Sequence, residues 1–420
     1  MLSVDLSNIW CSVSLPKLLQ EEKGIFDAHM ALAGGVERQN GWQNWFSQSD
    51  AASRQWLAPA EQAAMRIRTG SDYLVVVGGG LCTLGARAVL SLMPERSSSL
   101  RLIFCGEDCS TERWLRIVAR LENVSFSVLA VSSTGTELTT LLTMRSLRRI
   151  LEARCGDKAR DRIYISAPEH SSLYRTAKME GYTALAMPTC PGGSTSVLSP
   201  AGLTILGAAG LRIPELYEGA RDMAEQSDIR SFENPVWLCA GTQTALRRQG
   251  FAGETLCTAT PDAELLGKWW QQSLAAAEKN GFYASACLPE DFFRMGEQLL
   301  RPNRFVTLLL LPHTAKRVAV ETDWKDMDGL NCLAGRDLEG VESAIVDTLR
   351  DALMEHGVPT VTVQCDEALT SRTLGELVYF VELTVALTAA AAGEEPGAQP
   401  GIRDFRAKLD RALGRHSSNM

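Results

Sequence analysis

The sequence predicts an α/β protein with two units of parallel sheet, because short apolar runs alternate with segments of helical spacing along most of its length. One alternating region precedes residue 200, and a second begins near residue 235. Continuous apolar strands are typical of parallel sheets that helices cover on both faces. Ligands of such sheets bind beyond the carboxyl ends of the strands. We therefore expect the functional residues in loops that follow strands.

The first alternating region follows a segment that we predict to be helical. Its helices are predicted at Leu18–Leu32, Gly41–Phe46 and Pro59–Arg68. The strands that follow are short, apolar and rich in β-branched residues. They are predicted at Tyr73–Val77, Leu100–Cys105, Phe126–Val131, Arg162–Ser166 and Thr183–Met187. The helices between the first four of these strands are predicted at Leu84–Leu92, Thr111–Leu121 and Thr139–Ala153.

The second region has the same alternation. Its strands are predicted at Val236–Leu238, Thr255–Thr258, Phe305–Leu311 and Thr360–Cys365, and its helices at Ala263–Ala277, Pro289–Leu300 and Leu338–Glu355. A closing amphipathic helix is predicted at Gly401–Leu413. The predicted organisation is a helical segment (1–70), a first α/β domain (71–200), a helical connector (201–234), a second α/β domain (235–390) and a tail of loop and helix (391–420).

The composition excludes several classes of function. The chain has 45% hydrophobic residues, 22% charged residues and a net charge of −8. Because of this negative charge, we do not expect it to bind the phosphate backbone of nucleic acids. No apolar run approaches the roughly 18–20 residues that span a bilayer, and no signal peptide is evident. The 11 cysteines lack C-x-x-C or zinc spacing. We therefore expect a cytoplasmic protein with free, mostly buried thiols and no metal, cofactor, nucleic acid or membrane partner.

Three loops carry a resemblance to a known family. They are the runs Val77–Arg87, Val131–Glu137 and Gly192–Pro200, and further motifs follow at Gly329–Gly335, Thr373–Leu383 and Gln399–Gly401. In this order, over roughly residues 15 to 415, the sequence resembles bacterial phosphoglucose isomerases, also called glucose-6-phosphate isomerases. The resemblance implies two sugar-isomerase (SIS) domains, usually in a homodimer with a shared active site. It also implies interconversion of glucose 6-phosphate and fructose 6-phosphate through a cis-enediol.

The resemblance assigns ligand-binding candidates to the first two loops. Hydroxyls and backbone N–H groups at a strand-to-helix turn are suited to hold an anion. The candidates are Gly80, Cys82, Ser132, Ser133, Thr134, Thr136 and Glu137. In the family a Lys stands at the place of Ser133 and a phosphate-binding Thr at the place of Glu137. A carboxylate there repels phosphate unless it turns away or is neutralised. The alternative interpretation is that these hydroxyls simply cap the following helix.

The family's catalytic positions fall on residues that do not suit its chemistry. The cation that steadies the enediolate is replaced by Ser194, which is also a ligand-binding candidate. The proton-carrying glutamate falls on Ala276, and Glu278 is a substitute only if the backbone shifts. The ring-opening histidine is replaced by Phe293, and a lysine by Arg406, which keeps a charge but does not release a proton. Glu278 and Arg406 are thus the tentative catalytic residues.

Three hypotheses follow from these replacements. The first is a degenerate or repurposed member that binds a sugar-type ligand, possibly a sugar phosphate, between its two domains with little isomerase activity. The second is an active aldose–ketose isomerase of glycolysis and gluconeogenesis that uses Glu278, Arg406 or Lys408 instead. The third is a different reaction on an altered ligand, in a pocket reshaped by Ser194, Thr195 and Cys82.

Overall fold

The fold is built on two separate five-stranded sheets in a computed structural model of the chain. The described residues are 2–33, 56–93, 99–187, 193–277, 281–296, 300, 303–312, 317–394 and 400–415. The predicted helix Gly41–Phe46 and the candidate base Glu278 lie outside these residues. The strands are β1 (Leu2–Asn8), β2 (Tyr73–Val77), β3 (Arg101–Cys105), β4 (Phe126–Val131), β5 (Ile163–Ala167), β6 (Thr183–Ala186), β7 (Gly253–Thr258), β8 (Tyr283–Cys287), β9 (Arg304–Leu310) and β10 (Thr360–Cys365).

Helices occupy most of the chain between the strands. Those up to the middle of the chain are α1 (Leu15–Ala33), α2 (Leu57–Gly70), α3 (Leu81–Ser91), α4 (Thr111–Leu121), α5 (Leu138–Cys155), α6 (Ser172–Met179), α7 (Pro200–Ala209) and α8 (Ile213–Ser227). The later ones are α9 (Pro235–Arg248), α10 (Glu264–Ala277), α11 (Pro289–Met295), α12 (Leu338–Glu355), α13 (Ser371–Ala391) and α14 (Pro400–Ala412). The predicted α/β class with parallel sheets flanked by helices is confirmed.

The first sheet is entirely parallel and has the order β3-β2-β4-β5-β6. All five strands predicted for this region are confirmed; β2, β4 and β5 are buried along nearly their whole length, and β3 and β6 at the edges of the sheet only in part. The chain adds β3 on one side of β2 and then crosses to place β4 on the other side. The loops that follow β2 and β4 therefore diverge from a switch point, where ligands of open parallel sheets bind.

The second sheet has the order β1-β10-β9-β7-β8, and here the prediction was wrong in three places. Residues 236–238 belong to helix α9, whose first turn Asn234 caps by accepting the backbone N–H groups of Val236 and Trp237. Strand β8 was missed because its small residues resemble a loop. Strand β1 pairs antiparallel with β10, although the N-terminal segment was predicted to be entirely helical.

Helix α13 is the central helix of the core. In the described ranges it is the one helix that is long and apolar enough to cross a membrane. No such helix was predicted from the sequence. However, 83% of its most apolar window is buried inside the fold, as in the core helix of a globular protein. It crosses α8 at two glycines. A Cβ atom on Gly375 would lie 1.9 Å from the carbonyl oxygen of Leu216, and one on Gly219 would lie 1.8 Å from that of Arg372.

Close packing also ties the two α/β units together at the start of α3. A Cβ atom on Gly85 would lie 2.4 Å from a methyl carbon of Val197 and 2.9 Å from the indole of Trp269. Trp269 and its neighbour Trp270 on α10 are fully buried, and Trp270 meets Phe380 edge-on with ring centroids 6.0 Å apart. The first loop is therefore held between the third loop and helix α10 of the second unit.

Candidate ligand-binding site

The loop after β4 closes around the side chain of Glu137. The hydroxyl of Ser132 donates to one carboxylate oxygen and that of Ser133 to the other, the latter at 3.0 Å. The backbone N–H groups of Thr134 and Thr136 donate to the same carboxylate at 3.1 and 3.2 Å. Ser132 is 1% exposed and also accepts the N–H of Gly135 at 2.6 Å. The predicted anion-binding donors therefore converge, but on a carboxylate of the same chain.

The charge state of Glu137 follows from these contacts. Burial alone raises the pKa of this carboxyl, but hydrogen bonds from Ser132, its own backbone N–H, Thr134 and Ser133 outweigh it and hold the pKa below its usual value. The carboxylate is therefore ionised at neutral pH. Glu137 also occupies the N-cap position of α5, where the helix dipole favours a negative charge.

Cys82 lies beside this loop, since it follows β2 at the switch point of the sheet. The neighbouring Ser133 lowers the pKa of its thiol. Burial, reinforced by the charge of Glu137, raises the pKa of the Cys82 thiol to about 11, although Ser133 and the guanidinium of Arg406 oppose the shift. Gly80 begins α3 with φ of 55°, a conformation that glycine adopts without strain. The structure thus brings together the predicted residues Gly80, Cys82 and Ser133 at one edge.

Arg406 reaches this group from the opposite end of the sequence. It lies on α14 with an exposed side chain, and its charge acts on the Cys82 thiol. Because guanidinium stays protonated in proteins, Arg406 supplies a positive charge and no proton exchange. The sequence placed Arg406 near the site only through the family resemblance, and its role there remains a prediction.

The third loop is joined to the first through Ser196. Its hydroxyl donates to the carbonyl oxygen of Leu81 at 2.9 Å. Ser194 is half-buried in a short turn, Gly193–Thr195, and the preceding Gly192 lies outside the described residues. Thr195 is 1% exposed, and its hydroxyl has no hydrogen-bond partner within the described ranges. This loop therefore brings hydroxyls, and no charge, next to the start of α3.

One further residue was missed by the sequence analysis. Ser166 lies near the carboxyl end of β5, where its carbonyl oxygen accepts the N–H of Ser132 at 3.0 Å. Its side chain is fully buried, and its hydroxyl lacks a hydrogen-bond partner among the residues that the structure describes. A signal existed, because a serine at the end of a predicted apolar strand occupies the edge where ligands bind.

Two further positions to which the family resemblance assigns catalysis carry no proton-exchanging group. Ala276 lies half-buried on α10, and Phe293 lies on α11 with 64% of its surface exposed. Glu278 lies outside the described residues, so its proposed role remains a prediction. Within the described ranges, no group of three or more His, Cys, Asp or Glu side chains is arranged to hold a metal ion.

Alkylation is expected to spare Cys82. With a pKa of about 11, fewer than about one Cys82 thiol in a thousand is ionised at neutral pH, and the thiolate is the reactive form. Iodoacetamide should modify the exposed cysteines Cys11, Cys109 and Cys332 first, and peptide mass spectrometry detects the modification. These three exposed thiols differ from the predicted pattern of mostly buried cysteines. Labelling of Cys82 as fast as Cys109 would contradict the protonated state described above.

The fold and the three loops define an α/β protein of the sugar-isomerase (SIS) type. Among solved structures, a Thermus thermophilus protein described as hypothetical has a TM-score of 0.86 at 20% identity and covers 98% of this chain and 100% of its own. A glucose-6-phosphate isomerase from Chlamydia trachomatis has a TM-score of 0.76 at 14% identity, with 94% of this chain and 84% of that chain covered. At such identities the likeness concerns the fold.

Sequence similarity gives the family. The chain is 30% identical over 407 residues to a glucose-6-phosphate isomerase of Bacillus thuringiensis (strain Al Hakam), covering 92% of this chain and 90% of the relative. It is 26% identical over 430 residues to the Fusobacterium nucleatum protein of that name, covering 99% and 96%. No protein-family model matches the chain. The chain belongs to the glucose-6-phosphate isomerase family.

Proposed function

We propose that this chain is a repurposed member of its family, which binds a small sugar-type ligand at the carboxyl edge of the first sheet and has little glucose 6-phosphate isomerase activity. One observation carries the proposal: each ionisable side chain at the described loops stays in a single protonation state at neutral pH. We also propose, from the family resemblance, a cytoplasmic homodimer whose ligand lies between its two SIS-type domains.

The protonation states support weak catalysis. A proton shuttle works best when its pKa lies near the working pH. Glu137 is ionised and its oxygens already accept hydrogen bonds, which lowers its basicity. Cys82 stays protonated, and Arg406 stays charged. Each of the three is therefore fixed in one protonation state, whereas the isomerisation needs a group that alternates between two.

The polar groups of the site support the binding of a hydroxyl-rich ligand. Buried hydroxyls in native proteins nearly always have a partner. Those of Ser166 and Thr195 have none in the described part of the chain, and Ser194 lies beside Thr195. The half-buried Ser194 is the accessible hydroxyl of this group, and a ligand with hydroxyls suits it. These groups favour a sugar or a sugar derivative over an apolar ligand.

A thermal-shift screen tests this function. Glucose, glucosamine and sorbitol are compared with glucose 6-phosphate and fructose 6-phosphate, and a ligand of the folded state raises Tm. We expect a rise in Tm with a sugar of the screen and its loss in Ser194→Trp, which fills the third loop. The control is Ser3→Trp, an exposed position on β1 of the other sheet. Absence of any shift at millimolar concentrations, or equal binding by Ser194→Trp, would contradict the proposal.

The alternative function is an active aldose–ketose isomerase. It is favoured by Arg406, which keeps a positive charge beside the site. In that case Glu278 carries the proton between the two carbons. Isomerase turnover that Glu278→Ala abolishes, and that Glu290→Ala on α11 leaves intact, would establish this alternative.

A further inference from the structure

We propose that the carboxylate of Glu137 takes the place of a ligand's anionic group, so that the site accepts a small polyhydroxylated ligand without phosphate at this loop. The inference rests on the proposed function, since it specifies the ligand class of the same site. It concerns one specificity-determining residue, and it follows from the hydrogen bonds that the loop donors make to the carboxylate of that residue.

The donors that an oxyanion requires are all present and all occupied. Two hydroxyls, from Ser132 and Ser133, and two backbone N–H groups, from Thr134 and Thr136, point to the two oxygens of Glu137. Convergent N–H and hydroxyl groups at a helix N-terminus form the usual anion site of α/β proteins. Here the anion is covalently part of the chain, so a free anion has to compete with an intramolecular one.

The carboxylate has no capacity left for a ligand. Two carboxylate oxygens offer about four lone-pair sites. The four loop donors use them. Glu137 is therefore not a free acceptor for an amine group of a ligand.

A phosphate next to this carboxylate meets a negative charge that no ion pair among the described residues neutralises. No lysine or arginine contacts Glu137 in the described part of the chain, where hydrogen-bond donors alone hold its charge. Like unit charges about 4 Å apart near a protein surface weaken binding by up to about 10³-fold. The phosphorylated end of a ligand is thus excluded from this loop for two reasons: the hydrogen-bond donors are occupied, and the Glu137 carboxylate repels the phosphate.

A neutral hydroxyl still finds a partner at the loop. The hydroxyls of Thr134 and Thr136 lie 2.8 Å apart, so that one donates to the other. One hydroxyl hydrogen of the pair then remains for a ligand, and Thr134 is exposed. This arrangement suits a sugar hydroxyl, which needs a single donor or acceptor.

Opening the loop to inorganic phosphate tests the inference. Calorimetric titration at constant ionic strength compares the wild type with Glu137→Thr and Glu137→Ser. Glu137 makes no side-chain capping hydrogen bond to α5, and both new residues are favoured at an N-cap, so the substitutions remove no cap from the helix. We expect the variants to bind phosphate at least about 10-fold more tightly than the wild type, because they free the loop donors and remove a charge.

A matched control separates the freed donors from the change in net charge. Glu107→Thr removes one negative charge near the same edge, where Glu107 pairs with Arg87 at 2.8 Å and approaches Gly79, but it leaves the loop filled. We expect no gain in phosphate binding from this variant. Wild-type phosphate binding as tight as that of Glu137→Thr would overturn the inference, and so would an equal gain in Glu107→Thr.

The two proposals fail in different experiments. Phosphate binding gained by Glu137→Thr without any sugar binding by the wild type would remove the proposed function and keep the role of Glu137. Sugar phosphates that outperform neutral sugars on the wild type would remove the role of Glu137 and keep a sugar-binding site. If both substituted proteins fail to fold, the wild-type titration alone decides, because submillimolar phosphate binding contradicts a filled loop.

Discussion

Purified protein is expected to convert glucose 6-phosphate to fructose 6-phosphate at least about 10⁴-fold more slowly than an active family member. Loss of a general base costs about 10²–10⁴-fold, and loss of a charge stabiliser about 10²–10³-fold. These losses do not simply multiply, since such groups act as a unit. Ser194, Ala276 and Phe293 remove the cation, the carboxylate and the ring-opening group that the family resemblance implies.

A dehydrogenase-coupled assay in the fructose 6-phosphate to glucose 6-phosphate direction measures this rate. The Bacillus anthracis relative, 30% identical over 407 residues, is the positive control at equal protein concentration. A rate within about 10²-fold of that control would refute weak catalysis. Sensitivity of such a rate to Glu278→Ala would then identify a substitute base that the described residues do not include.

Gly375→Ala is expected to prevent stable folding or to lower the free energy of unfolding by about 3 kcal/mol or more. The new Cβ atom would lie 1.9 Å from the carbonyl oxygen of Leu216 and 2.9 Å from the backbone nitrogen of Ala220. Backbone atoms cannot relieve this clash by a change of rotamer, so α8 and α13 must move apart. That separation disturbs a helix that is buried along most of its length. Urea unfolding followed by circular dichroism measures the change.

Gly70→Ala is the matched control. Gly70 is also a helical glycine, at the end of α2, but a Cβ atom there meets no atom within 4 Å. Replacing such a glycine by alanine is expected to stabilise the protein by up to about 1 kcal/mol. A Gly375→Ala protein as stable as Gly70→Ala would show that the two helices are not in contact at this point.

The strand predictions succeeded where a segment is apolar on both faces. Residues 73–77 and 126–131 are buried along nearly their whole length, and such runs have few alternative conformations. Val236–Leu238 has the same local character but follows Asn234 and Pro235, which begin a helix. The capping signal was present in the sequence, and the short apolar run was given more weight.

The two missed strands lie at the edges of the second sheet. Strand β8, Tyr-Ala-Ser-Ala-Cys, has little apolar surface because it has a neighbour on one side only. Strand β1 shows buried Leu2 and Leu6 with exposed Ser3 and Ser7. Its pairing with residues more than 350 positions away depends on tertiary structure, which local sequence does not contain.

The residues of the candidate site were predicted from the sequence, but the hydrogen bonding of the Glu137 carboxylate was not. The sequence placed Ser132, Ser133, Thr134 and Glu137 in one loop and indicated a conflict between Glu137 and phosphate. The direction in which the carboxylate points depends on φ and ψ of the loop, and residue identity alone does not specify these angles. The proximity of Cys82 and Arg406 depends on the packing of distant segments.

The antiparallel pairing of β1 with β10 has a consequence for synthesis on the ribosome. All five strands of the first sheet lie between residues 73 and 186, so that sheet can assemble while the second half of the chain is still being made. The pairing of Leu2 with Cys365 requires nearly the whole chain to have emerged. During most of translation strand β1 therefore has no partner strand, and its Leu2 and Leu6 side chains are free to associate with other nascent chains.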